Sequence, residues 1–148
     1  MAVEARGTLT LPREIAVALE RYVHETVATK DFSQTFATAA ETAASRQGDC
    51  TEHAVLLAAL ARVCGIPSRV AIGLVYVPRA QGFGYHMWTE VFVDGHWLPL
   101  DATLGQGHIG AAHIKLADSS LEGAGAYSTF LPVAQVVGQL KISVLEAQ

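Results

Sequence analysis

Residues 48–76 read GDCTEHAVLLAALARVCGIPSRVAIGLVY. Asp49 followed three positions later by Glu52 is close to a capping box, with Asp in place of Ser/Thr, and predicts that a helix starts at Cys50. Gly65, followed by Ile66 and Pro67, gives an equally clear stop. Between these signals Ala54, Val55, Leu56, Leu57, Leu60, Ala61 and Val63 are apolar nearly all round, so this helix is expected to be surrounded by protein. From Arg69 the period changes: Val70 to Val77 is a β-branched, mostly apolar run suited to an internal strand.

Upstream, Thr10 and Pro12 supply a cap and a first-turn proline for a helix over Leu11 to Ala28, with Ile15, Leu19, Tyr22, Val23 and Val27 on one stripe. Ser33 caps a second, alanine-rich helix carrying Phe36, Ala39, Ala40 and Ala43 and ending at Gly48. Downstream, Pro78 to Gly84 reads as a loop. His86 to Val93 and His96 to Asp101 read as strands joined by Asp94-Gly95, a strong hairpin signal. A glycine-rich stretch runs to Gly110, a short piece follows at Ile114 to Leu116, and Leu140 to Leu145 reads as a last strand. Helices first and strands after predict one α+β domain over 1–148, with N-terminal helices and a central buried helix packed on an antiparallel sheet.

Charged residues make up 16% of the chain, the formal charge is −4, and Lys and Arg do not cluster. That balance lacks the electrostatic footprint of a nucleic-acid binder. No apolar run approaches the roughly 20 residues of a membrane-spanning helix, and the first residues, MAVEARG, lack the apolar stretch of a signal peptide. A soluble chain is expected, cytoplasmic as written or a domain excised from a longer exported protein.

Cys50 and Cys64 would lie at opposite ends of the central helix, roughly 21 Å apart at 1.5 Å rise per residue, beyond the ~7 Å Cα limit of a disulfide. Each thiol therefore needs its own explanation. Cysteine is commonly a core residue, and Cys64 fits that role. Cys50 sits in the first turn of its helix, where unpaired N–H groups and the positive end of the macrodipole favour a thiolate.

The hairpin fixes a register. A two-residue turn at Asp94-Gly95 pairs Val93 with His96, which sets Glu90 opposite Pro99 and Trp88 opposite Asp101. His86 and Asp101 then share a face as diagonal neighbours, with Cα atoms roughly 7 to 8 Å apart, close enough for their side chains to hydrogen-bond. Met87, Val91, Val93, Leu98, Leu100 and Ala102 form an apolar set on the other face. A His and an Asp placed together opposite a core face suggest a base and its orienting carboxylate, with Cys50 as nucleophile. The Cys50 backbone N–H is a candidate oxyanion donor.

These blocks, GDCTEHAVLLAALARVCGIPSRVAIGLVY and GYHMWTEVFVDGHWLPLDAT, resemble the transglutaminase-like superfamily over Arg46 to about Leu116. The resemblance implies a papain-like fold and a Cys-His-Asp triad that falls on Cys50, His86 and Asp101, with Asp-Ala-Thr where the family often has Asp-Pro-Thr. It implies thiol-dependent acyl transfer on a peptide or protein substrate through a thioester, with hydrolysis favoured over transfer to an amine, and no metal or organic cofactor. A catalytically inactive peptide-binding module of the same fold is the alternative.

Other residues carry two readings. His53, three positions after Cys50, is a rival base or a Cys-x-x-His metal ligand, with a local structural role favoured over either. His108 and His113 read as surface-loop histidines, and His24 and His96 carry no signal. Trp88, Trp97 and Phe92 share the His86 face and either line a cleft or pack. Tyr85 and Gln47 are near enough in sequence to help polarise a substrate carbonyl.

Overall fold

The structure, a computed structural model, describes residues 1–27, 37–123, 126, 128–136 and 138–142. Four helices, α1 (Ala2–Arg6), α2 (Pro12–Thr26), α3 (Ala39–Ser45) and α4 (Cys50–Val63), precede four strands, β1 (Ser68–Val77), β2 (Gly82–Val93), β3 (His96–Leu100) and β4 (His113–Ser119). A short helix α5 (Leu131–Gln135) follows. The strands form one antiparallel sheet in the order β3-β2-β1-β4. This is the expected α+β arrangement.

Helix α4 is the hub. Its predicted capping box is present: the Asp49 carboxylate accepts the Thr51 N–H at 2.8 Å, and Glu52 Oε2 accepts the Asp49 N–H at 3.0 Å. One side of α4 packs Leu56, Leu57, Leu60 and Ala61 against Ile15, Leu19 and Val23 of α2 and Val91 and Val93 of β2. Ala54, Val55 and Ala58 meet Val70, Met87 and Phe130 on another side. Burying a leucine fully contributes about 1.5–3 kcal/mol, so the apolar residues of this helix supply much of the core, although Val63, expected to be surrounded by protein, is 71% exposed.

The hairpin register is the one derived from Asp94-Gly95: Val93 faces His96, Phe92 faces Trp97 and Glu90 faces Pro99. Asp94 and Gly95 both have positive φ, 53° and 79°, as a tight primed turn requires.

Several boundaries differ from expectation. Pro78 to Gly84 is not all loop, because β2 begins at Gly82 and pairs Gly82 with Val77 and Gly84 with Val75; the edge of β1 was already there to receive it. Helix α2 starts at Pro12 behind Leu11, and Thr10 does not cap it. The second helix, expected from Ser33, lies partly outside the described residues; its described part is α3, capped by a Thr38–Glu41 box and ended by Arg46 at φ 57° rather than by Gly48. The piece at Ile114 to Leu116 is the middle of a seven-residue edge strand. The expected strand at Leu140 to Leu145 is not formed over 140–142, and its remainder lies outside the described residues. Among the described residues no helix is long and apolar enough to cross a membrane.

Candidate active site

Gly48 explains how the chain enters α4. A Cβ at this position would lie 2.2 Å from Glu52 Cβ, and its φ of 153° is one that side chains rarely adopt. Only glycine lets the backbone turn tightly over the buried Glu52, whose other oxygen accepts the Ala37 N–H at 3.1 Å. Cys50 is thereby set at the first helical position, partly exposed. The next turn is tied to the sheet: the Thr51 hydroxyl donates to Met87 Sδ at 3.4 Å, and the Thr89 hydroxyl donates to the Ala54 carbonyl at 2.8 Å. Both anchors lie within three residues of His86 on β2.

His86 and Asp101 are buried, and His86 Nε2 lies 2.6 Å from Asp101 Oδ2. Asp101 immediately follows β3, so the strand delivers it and the following turn holds it: Oδ1 accepts the backbone N–H groups of Thr103 at 2.9 Å and Leu104 at 3.3 Å. With Nε2 engaged by Asp101, Nδ1 is the ring nitrogen left for Cys50, which favours the charged imidazole. Burial works against a charged imidazole, but the hydrogen bonds to Asp101 and Cys50 outweigh it and raise the His86 pKa to about 9. Burial likewise opposes the Asp101 carboxylate, and the hydrogen bonds and charge of its histidine partners still hold its pKa below the usual value.

His113 contradicts its reading as a surface-loop histidine. It opens β4, its side chain is 4% exposed, and its Nε2 lies 3.1 Å from Asp101 Oδ2. The sequence hid this because β4 pairs with β1, far from Asp101 along the chain, through Val75↔His113. His86, Asp101 and His113 each bring a ligand-type atom within 4.8 Å of the others.

Two residues of α2 also serve the loop after Asp101. A ring nitrogen of His24, which carried no sequence signal, lies 3.0 Å from the Ala102 carbonyl, and the buried Glu20 accepts the Gly107 N–H at 3.0 and 3.1 Å. Burial, partly offset by that backbone bond, raises the Glu20 pKa.

His53 is buried with Nδ1 2.6 Å from the Asp49 carbonyl; burial lowers its pKa, and the backbone of Asp49 and Val27 partly offsets this. Its ring is therefore committed to the backbone. Cys64 caps the far end of α4, partly buried against the α2 side of the core. Trp88 is 1% exposed and packs against both His86 and His113, whose rings also meet each other, whereas Phe92 and Trp97 pair edge to face near the hairpin end with Arg69 over the Trp97 ring. Tyr85 alternates away from His86 along β2 and, with Leu74, Tyr76 and Phe83, lines a cavity of about 460 Å³ on the face of the sheet that carries Met87. Gln47 is half-buried, with its N–H on the Ser45 hydroxyl. His108 is exposed.

Residues 1–102 match the family model of the transglutaminase-like superfamily. Among curated proteins none matches the chain. Solved structures with a similar fold include a candidate cysteine protease from Cytophaga hutchinsonii, with 24% identity over 80% of this chain and 40% of that one at a TM-score of 0.69. A TGase is similar over 74% of this chain and 30% of its own, at 18% identity and a TM-score of 0.54. Legionella pneumophila LapG, treated with EGTA, is similar over 82% of this chain and 70% of its own, at 14% identity and a TM-score of 0.61. The chain thus spans less than half the length of the first two.

Proposed function

The chain belongs to the transglutaminase-like superfamily, and from that premise we propose that it is a thiol acyl-transfer enzyme using Cys50, His86 and Asp101 on peptide or protein amides. The observation that carries this reading is the buried His86–Asp101 pair, 2.6 Å apart, with Cys50 the other group that favours the charged His86 ring. His86 takes the Cys50 proton on Nδ1 while Asp101 holds Nε2–H, fixing the ring and stabilising its charge. Cys50 Sγ forms a bond to the carbonyl carbon, and the oxyanion falls near the Cys50 backbone N–H, a first-turn donor with no acceptor within its helix. Collapse of this intermediate breaks the C–N bond, His86 returns its proton to the departing amine, and a thioester remains. Water or a second amine then attacks the thioester carbonyl, losing its proton to His86 as the C–S bond breaks.

Both acceptors share the first half of the reaction. Water is the favoured one, in line with the cysteine-protease description of one structural neighbour, while the TGase neighbour keeps the amine in view. Incubating the protein with a mixed peptide pool, with and without an added primary amine, and reading products by mass spectrometry tests the proposal. Cleaved or deamidated peptides in both samples support hydrolysis; amine-bearing peptides in the second support transfer. No product in either sample, with Cys50 unmodified, would leave a peptide-binding module as the reading.

A further inference from the structure

We infer that His113 is a positioning residue of this site: it holds Asp101 in place for His86. The inference rests on the acyl-transfer reading above and adds a fourth member to it. Asp101 has no exposure to solvent, and a carboxylate so buried must find its hydrogen bonds within the protein. Oδ1 finds two in the backbone of Thr103 and Leu104, while Oδ2 has His86 at 2.6 Å and His113 at 3.1 Å. His86 has to move protons and hold Cys50, so it cannot also anchor the group that orients it. Without His113, Oδ2 would keep His86 alone, and the carboxylate could pivot about the backbone bonds that hold Oδ1.

His113 is built for that single contact. Its other ring nitrogen is buried and has no partner among the described residues, so its hydrogen bonding is directed at Asp101. Trp88 packs against it edge-on, with ring centroids 5.3 Å apart, and keeps the ring from turning. Gly73 lets β4 and Trp88 close in: a Cβ there would meet the Ile114 carbonyl oxygen at 2.0 Å and Trp88 Cη2 at 2.8 Å. A histidine serving only to fill the core would spend its polar atoms to no purpose in this place.

Asparagine and glutamine separate the roles. A Gln amide reaches the position of Nε2 and can donate to Oδ2; an Asn amide ends near Nδ1 and cannot. With p-nitrophenyl acetate as acyl donor, His113→Asn is expected to lower kcat about tenfold or more with little change in KM, and His113→Gln to retain kcat within about threefold. In an Asp101→Asn background, His113→Asn should cost nothing further, because its effect passes through the carboxylate. Folding is checked by thermal melting, and His113→Met replaces the Asn variant if that one does not fold. Unchanged turnover in the donor-less variant, an equal loss in both backgrounds, or Gln no better than Asn would overturn the role of His113 while leaving acyl transfer intact. Failure of the wild-type protein to acylate Cys50 with this ester would overturn acyl transfer itself and this role with it.

Discussion

His86 Nε2 stands 2.6 Å from Asp101 Oδ2, with both side chains buried, and the pair ties the stability of the fold to pH. The folded pKa of His86 is raised from 6.5 to about 9, so its contribution is full below pH 6.5 and is lost as pH climbs through about 9. That of Asp101 is lowered from 3.8, so its contribution is present above pH 3.8 and is lost as pH falls through the folded value. The stability difference between wild type and Asp101→Asn should therefore be largest between these limits and shrink towards pH 9. Denaturant unfolding at a series of pH values measures it. A difference that is flat or grows between pH 7 and 9 contradicts the pairing.

Asp101 acts only through His86, whereas His53 is engaged with backbone carbonyls. Asp101→Asn should keep the fold and the thiol but misplace the imidazole proton, lowering turnover on the order of 10- to 10³-fold. His53→Ala should leave turnover within about tenfold, although emptying a 3% exposed site costs stability. Kinetics on protein shown by circular dichroism to be folded make the comparison. A silent His53→Ala beside an active His86→Ala would make His53 the base.

Gly73 faces His86 on one side and Lys115 on the other, at the irregular step in the β1–β4 ladder. Gly73→Ala must push β4 or Trp88 aside, and a destabilisation of about 1–3 kcal/mol is expected from such overpacking. The urea midpoint reads it. A midpoint equal to wild type would show that β4 adapts freely.

The sequence carried the local parts of this site well. Asp49 and Glu52 marked the helix start, and the Asp94-Gly95 turn set the register that brings His86 near Asp101, because both depend on residues only a few positions apart. The roles of His113 and His24 were not legible for the converse reason. One reaches Asp101 from an edge strand paired with β1, the other reaches Ala102 from α2 across 78 positions, and neither sits in a periodic or capping pattern that exposes its partner. The early start of β2 was hidden as well, since Gly82 and Gly84 read as turn residues until the β1 edge supplies their hydrogen bonds. Gly48 was legible as a helix stop but acts as the close approach that lets the chain cross Glu52.

In the proposed reaction Cys50 carries the acyl group between its two halves. Rapid mixing with p-nitrophenyl acetate, acid quench and intact mass analysis followed by peptide mapping tests it most directly. A transient acetyl adduct on Cys50 is expected, absent from Cys50→Ala and lost on standing as the thioester turns over. An adduct confined to Cys64, or none on a folded protein, would contradict it.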